Sequence, residues 1–253
     1  MELHFKQFGE GKAFVILHGL FGSSDNWQTH GKKLGEYFDV YVVDQRNHGE
    51  SGWSEEFSYD LMADDLHEFI LENDLKEIVL MGHSMGGKTA MRYAQKHPEM
   101  IDKLIIVDMG TKDYPSSHNT IINGLKSIDL SEIKSRSAAS EQLSKYIDNK
   151  SIRQFLLKNL YWKEKGQLAW RINLPVLEEK YSEIIKALPE VETMIDTLFI
   201  AGGQSDYILP ADHDAIRTLF PLADFYTIEK AGHWIHAEAP EEFIQEVLGF
   251  ALL

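Results

Sequence analysis

Residues 77–94, with the sequence EIVLMGHSMGGKTAMRYA, decide the fold of this chain. The apolar run 78–81 has the length of a buried strand, and the run 88–94 is rich in good helix formers. Between them lies Gly82-His83-Ser84-Met85-Gly86, a G-x-S-x-G sequence at a strand-to-helix turn. Such a turn can expose a nucleophilic serine, with glycines where a larger side chain would clash. An ordinary glycine-rich turn, with Ser84 only capping the helix, is the alternative.

Strand-like and helical patterns alternate on both sides of this stretch. The predicted strands cover residues 3–8, 13–17, 40–44, 104–108, 197–201 and 225–228. Helical spacing or capping residues predict helices over residues 24–38, 58–73 and 240–252. The alternation predicts an α/β fold, a mostly parallel sheet flanked by helices.

Residues 111–190 differ from the rest of the chain in charge and in periodicity. They contain 13 Lys and Arg against 10 Asp and Glu, a surplus of +3, whereas the chain as a whole carries −15 and its remainder therefore −18. Residues 119–164 have apolar positions at helical spacing and no strand-like run. We expect three to five short helices that form a cap, inserted between core segments 1–110 and 191–253.

The composition restricts the class of protein. At 253 residues and 43% hydrophobic content, the chain can form a large core. The net charge of −15 argues against nucleic acid as a partner. The sequence contains no run of 18 apolar residues, so no membrane span is predicted. Its polar start is unlike a signal peptide, and the absence of cysteine fits a cytoplasmic protein. Monomer and homodimer are both compatible with the sequence.

Two further loops supply the partners that a nucleophilic serine needs. Asp206 follows the predicted strand that ends at Ala201, and His233 follows the last predicted strand. The order Ser84, Asp206, His233 is nucleophile, acid and base, the chain order of this architecture. Because the carboxyl ends of parallel strands share one edge of the sheet, these loops are expected to meet there.

A fourth loop, which begins at His18-Gly19, follows the strand 13–17. A backbone N–H of Leu20 or of its neighbour Phe21 is expected to pair with the N–H of Met85 and bind an oxyanion. Without the other loops, an ordinary turn would explain the His18-Gly19 pair equally well.

The chain resembles the α/β-hydrolase superfamily, and within it the YbfF-type esterases and related abhydrolase domain-containing proteins. The resemblance is carried by residues 18–23 (HGLFGS), 44–51 (DQRNHGES), 82–88 (GHSMGGK), 170–175 (WRINLP) and 232–238 (GHWIHAE). It implies a carboxylesterase or acyl-thioesterase with a helical cap and no cofactor. Some proteins of this group use an acid after the preceding core strand, which here is Asp108. This sequence has both acids, and chain order favours Asp206 over Asp108.

These observations predict a serine hydrolase that cleaves esters or acyl thioesters through an acyl-enzyme on Ser84. A carbon–carbon bond hydrolase or a cofactor-free perhydrolase uses the same triad, and a binding protein that kept the fold is the non-enzyme alternative. Trp162, Trp170 and Trp234 are expected to contact a small-molecule substrate. Ten basic and five acidic residues between Lys126 and Arg171 suggest attraction of an anionic leaving group such as coenzyme A.

Other polar residues near these motifs have structural interpretations. Asp44, Arg46 and His48 are expected to brace the loop beside the site rather than to react. His213 with a neighbouring aspartate does not have convincing metal-ligand spacing, so no metal site is predicted.

Overall fold

A computed structural model describes residues 1–253 of the protein. Its strands are β1 (Phe5–Phe8), β2 (Ala13–Leu17), β3 (Asp39–Val43), β4 (Ile78–His83), β5 (Ile101–Val107), β6 (Leu160–Glu164), β7 (Gln167–Trp170), β8 (Thr197–Gly202) and β9 (Ala223–Ile228). Its α-helices are α1 (Gln28–Leu34), α2 (Tyr59–Glu72), α3 (Met85–Lys96), α4 (Asn119–Lys126), α5 (Arg136–Ser144), α6 (Lys150–Leu157), α7 (Leu174–Glu179), α8 (Tyr181–Ile185), α9 (His213–Leu219), α10 (Ile235–Glu238) and α11 (Pro240–Ala251). Short 3-10 helices cover Ser24–Asn26, Pro98–Met100 and Pro210–Asp212.

Seven of the strands form one sheet in the order β1-β3-β2-β4-β5-β8-β9. Only β1 runs antiparallel to its neighbour, so the expected mostly parallel sheet is confirmed. The chain starts the parallel part at β2, moves outward to β3, and then returns to the other side of β2 as β4. The loops after β2 and β4 therefore flank the point where the strand order reverses, which is where open α/β sheets bind ligands.

Apolar side chains cover both faces of the sheet. One face packs against α2, α3, α9 and the segment between β5 and β8, in a cluster of 52 buried residues. The other packs against α1 and α11, in a cluster of 21. The inner strands β2, β4 and β8 are buried on both faces, which explains their continuous apolar runs. None of the helices in this chain combines the length and the apolar character that a membrane span requires. The cytoplasmic location stays a prediction.

The segment between β5 and β8 contains five helices, α4–α8, and a β-hairpin. Its two ends run side by side in what we call the neck, residues 111–114 and 185–188. The Tyr114 N–H donates to the Ile185 carbonyl at 2.9 Å, and the Leu188 N–H donates to the Thr111 carbonyl at 2.9 Å. The expected helices are present, and the division of the chain into core and cap stays a prediction.

The hairpin of β6 and β7 corrects the expectation that residues 119–164 contain no strand. Leu160 pairs with Trp170 across it, and Gly166 turns the chain with φ 83°. Leu160 and Leu168 are buried while the residues around the turn are exposed. In strands this short, with so few apolar residues, the alternation of apolar and polar residues is too brief to be distinguished from a helical pattern in the sequence.

Candidate active site

Ser84 lies at the tip of the turn between β4 and α3, with φ 53° and ψ −119°. This conformation is strained for a residue with a side chain, and it persists only where the surroundings enforce it. A Cβ at Gly82 would lie 2.1 Å from the Gly86 carbonyl oxygen, and one at Gly86 would lie 2.5 Å from the Leu17 oxygen. The two glycines therefore allow strand, turn and helix to pack closely enough to push Ser84 outward.

His233 lies beside the serine, in the loop after β9. Its Nε2 is 3.0 Å from Ser84 Oγ, and its Nδ1 is 2.7 Å from an oxygen of Asp108. A proton on Nδ1 satisfies the carboxylate and leaves Nε2 free to accept from the serine hydroxyl. The ring of Tyr207 stacks on the imidazole with the centroids 4.0 Å apart and 18° between the planes. The ring is thus held in the orientation that a general base for Ser84 requires.

The carboxylate that contacts His233 is Asp108, and our preference for Asp206 has to be corrected. Asp108 is the first residue after β5, the strand next to β4, and it is completely buried. It also accepts hydrogen bonds from the Gly202 N–H, at 3.0 Å, and from the Ser205 hydroxyl. Asp206 is exposed, although its neighbours Ser205 and Tyr207 contact Asp108 and His233. Chain order cannot distinguish the two positions, because both aspartates follow strands that end at the same edge.

The backbone N–H groups of Leu20 and Met85, both near Ser84, have no acceptor within the protein. Met85 is the first residue of α3, where an N–H group has no intrahelical acceptor. The Phe21 N–H, the alternative to Leu20, instead donates to His48 Nε2 at 3.2 Å. His48 Nδ1 in turn contacts the Arg46 carbonyl at 2.9 Å. The geometry therefore favours Leu20 and Met85 over Phe21 as oxyanion donors.

The loop after β3 braces the site, as expected from its polar residues. Asp44 accepts hydrogen bonds from the backbone N–H groups of Ser24 and Glu50, at 2.5 and 3.0 Å. Arg46 forms a buried two-pronged ion pair with Asp65, with N–O distances of 2.6 and 2.8 Å. These contacts are directed at the protein itself, so the side chains hold the loop without facing Ser84.

Burial keeps the other histidines around the site uncharged. It lowers the pKa of His48 and of His83 to about 3 and that of His118 to about 4, and it also lowers the pKa of His18. The His83 side chain donates from Nε2 to the His233 carbonyl at 2.8 Å. None of these residues hydrogen-bonds Ser84, which leaves His233 as the base available to it.

Two narrow cavities adjoin Ser84, with volumes of about 30 and 20 Å³. The larger is lined by residues of the β2 and β4 loops, α6 and the His233 loop, including Trp27, Phe155, His233, Trp234 and His236. The smaller is lined by residues after β5 and around α8, including Met85, Met109, Tyr114, Ile184 and Tyr207. Each volume suffices for only one or two water molecules.

Of the three tryptophans expected at the site, only Trp234 lines a cavity. Trp162 lies on the β6–β7 hairpin and is 50% exposed. Trp170 ends the same hairpin and packs against the core. An aromatic residue in a cap can hold the segment to the core or cover its surface, and sequence does not distinguish these positions from a cavity wall.

Two residues for which the sequence predicts no role also lie at the site. His118 lines both cavities, and Tyr207 lines the smaller one and stacks on His233. Neither belongs to a recognisable motif, so no signal in the sequence would have identified them. No three His, Cys, Asp or Glu side chains come together as metal ligands.

Comparison with known proteins finds hydrolases among the relatives of this chain. The family described as alpha/beta hydrolase fold matches residues 12–123. The mouse protein named sn-1-specific diacylglycerol lipase ABHD11 is 39% identical over 249 residues, which cover 94% of this chain and 80% of the mouse protein. Esterase YbfF of Escherichia coli strain K12 is 33% identical, covering 92% of this chain and 90% of its own length. A solved structure described as a marine microorganism esterase superposes with a TM-score of 0.96 at 45% identity, covering 98% and 99% of the two chains.

Proposed function

Since the chain belongs to the α/β-hydrolase family, we propose that it hydrolyses carboxylic esters through an acyl-enzyme formed on Ser84. It is a carboxylesterase-type enzyme, in keeping with relatives named esterase and lipase. The observation that carries the proposal is the continuous line from Ser84 Oγ through His233 to Asp108, with contacts of 3.0 and 2.7 Å.

In the first half of the reaction, Ser84 Oγ attacks the carbonyl carbon of the ester while its proton passes to His233 Nε2. The imidazolium that forms is stabilised by the buried carboxylate of Asp108. The negative charge on the carbonyl oxygen is met by the N–H groups of Leu20 and Met85, assisted by the N-terminal end of α3. When the carbon–oxygen bond breaks, His233 returns the proton to the departing alcohol.

In the second half, water attacks the acyl-enzyme. His233 removes a proton from the water as the oxygen–carbon bond forms, and then protonates Ser84 Oγ as the acid leaves. Each turnover consumes one ester and one water and gives one acid and one alcohol. The largely apolar walls of the two cavities support an uncharged acyl group next to Ser84.

Acyl thioesters are a second substrate class of the same chemistry, and the basic surplus between Lys126 and Arg171 is the observation that favours them. Arg136 and Lys158 lie at an open surface pocket, together with Asp25. No lysine or arginine lines either cavity beside Ser84. The charged part of an acyl-CoA would therefore lie outside the cavities, where its attraction to the protein is screened by salt.

The proposal is tested with aryl esters and acyl-CoA thioesters of graded chain length. The wild type should hydrolyse at least one series, and Ser84→Ala should lower kcat by about 10⁴ with the fold intact. A folded Ser84→Ala protein with near-normal turnover excludes the proposal. Added salt should lower kcat/KM for acyl-CoA and not for a neutral ester; an equal response of both removes the basic residues from substrate choice.

A further inference from the structure

His118 occupies the space between the two cavities at Ser84. It precedes α4, between β5 and β8, and it is a lining residue of both cavities. Its ring lies 6.4 Å from that of Phe21, in an edge-to-face arrangement on the oxyanion-loop side of the site. The mechanism described above uses no group of this residue, although it shares both cavity walls with the nucleophile.

Two hydroxyl groups lie at Nδ1 of the His118 ring: that of the buried Tyr181, and that of the exposed Ser117, whose Oγ is 3.3 Å away. The Tyr181 hydroxyl oxygen accepts the backbone N–H of His118 at 3.2 Å and lies 2.7 Å from the ring Nδ1. Tyr181 is buried, and its hydroxyl has no other acceptor among its hydrogen bonds. It therefore donates to Nδ1, because otherwise a buried hydroxyl proton would be left unpaired. The neutral imidazole then carries its proton on Nε2.

This Nε2–H has no partner in the protein. It takes part in no hydrogen bond, and it is not among the polar atoms that are sealed from solvent. Burial, and secondarily the proximity of His233, lowers the pKa of His118 to about 4, so the ring stays neutral at pH 7. The side chain is thus a fixed, uncharged donor in the cavity wall rather than a second base.

We propose that His118 Nε2–H donates a hydrogen bond to an uncharged oxygen of the substrate, so that the enzyme prefers esters with an ether, hydroxyl or oxo group near the ester bond. A carboxylate at that position is disfavoured, because no lysine or arginine lines either cavity to compensate its charge. The inference rests on the proposed function and specifies its substrate class.

The test uses two pairs of esters that differ by one oxygen for one methylene. Phenyl methoxyacetate and phenyl butyrate place the change in the acyl part, and 2-methoxyethyl butyrate and butyl butyrate place it in the alcohol part. For each pair, the ratio of kcat/KM values is measured in the wild type and in His118→Phe. Dividing the two ratios removes the intrinsic reactivity of the esters. In at least one pair, we expect the ratio of kcat/KM for the oxygen-containing ester to kcat/KM for its methylene analogue to be three- to tenfold higher in the wild type than in His118→Phe. This is the effect of one neutral hydrogen bond.

Three further variants separate recognition from packing. His118→Gln keeps a donor near the position of Nε2 and should retain most of the preference. Tyr181→Phe releases the ring and should weaken the preference less than His118→Phe does. His118→Leu is a second variant without a donor, for use if the His118→Phe protein does not fold.

The outcomes distinguish this inference from the proposed function. If the wild type hydrolyses the esters but the donor-free variants lose activity equally on both members of each pair, His118 only packs and the inference is wrong. An unchanged ratio in both pairs overturns it as well. If the wild type hydrolyses none of the esters and a fluorophosphonate fails to label Ser84, the proposed function has failed, and the inference fails with it.

Discussion

Replacing Asp108 by asparagine tests how His233 is oriented. The Gly202 N–H donates to Oδ1 of Asp108 at 3.0 Å, so an asparagine would keep its carbonyl oxygen on that side. Its NH₂ group would then take the place of the oxygen that lies 2.7 Å from His233 Nδ1. A donor at Nδ1 moves the imidazole proton to Nε2. There it faces Ser84 Oγ, and the ring can no longer accept the serine proton.

The expected loss follows from this change of tautomer. The same substitution in serine proteases lowers kcat by about 10⁴, or about 5.5 kcal/mol of barrier, and the contacts of Asp108 give no reason for a smaller effect here. The assay is the steady-state hydrolysis of a neutral aryl ester, with circular dichroism and a melting curve to check the fold. The loss should appear in kcat, with KM changing little, because the carboxylate does not contact the substrate.

Asp206→Asn is the matched control. This aspartate is exposed and makes no side-chain hydrogen bond or ion pair, so its replacement should change kcat/KM by less than about twofold. A loss of orders of magnitude in the kcat of Asp206→Asn would refute the role of Asp108, and so would a folded Asp108→Asn protein that keeps more than about a tenth of the wild-type kcat. Severe losses in both variants would mean that the two carboxylates share the imidazole.

Three other predictions concern stability, the neck and chain length. Burial lowers the pKa of His48 and His83 to about 3, so below about pH 6.5 the unfolded chain binds protons that the folded chain does not. The free energy of unfolding should therefore fall as the pH drops below about 6.5, by about 1.4 kcal/mol per pH unit for each histidine. A urea midpoint that is constant from pH 7 to pH 5 would contradict this. Lys88 donates hydrogen bonds to the neck carbonyls of Lys112 and Ile185, at 2.9 and 3.2 Å. Lys88→Met should therefore destabilise the neck by about 1–3 kcal/mol and speed tryptic cleavage at Lys112 at least fivefold. An unchanged cleavage rate would mean that the backbone hydrogen bonds alone hold the neck together. Phe155 lines the larger cavity, and its removal would leave room for a longer acyl chain. Phe155→Ala should therefore raise kcat/KM for longer acyl chains relative to butyrate, by up to about fourfold per added methylene. An unchanged chain-length profile would place the acyl group elsewhere.

The core of the fold could be predicted from the sequence because its signals are local. The apolar runs of β2, β4 and β8 are buried on both faces, so each stands out as a continuous stretch. The turn at Ser84 could be predicted for a related reason, since the glycines on either side of it are required by close backbone packing. A parallel sheet then brings its carboxyl ends to one edge, and this sufficed to expect Ser84 and His233 together.

The cavity walls and the aspartate that contacts His233 could not be predicted, because they depend on distances between elements that are remote in sequence. Asp108 and Asp206 both follow core strands, and only the folded chain shows that Asp108 is buried against His233 whereas Asp206 is exposed. Likewise His118 owes its place to a buried hydroxyl 63 residues away in the chain. The choice between Leu20 and Phe21 depended on a hydrogen bond to His48, which no motif encodes.

The most direct test of the account is to trap the acyl-enzyme and locate it. The enzyme is mixed with a slowly deacylating aryl ester, quenched in acid, digested and analysed by peptide mass spectrometry, with Ser84→Ala in parallel. The account predicts one acyl group per chain, on the peptide that contains Ser84, in amounts that decline as free acid appears, and no adduct in the variant. An acyl group on another residue, equal acylation of the variant, or turnover with no adduct in a burst experiment would contradict it.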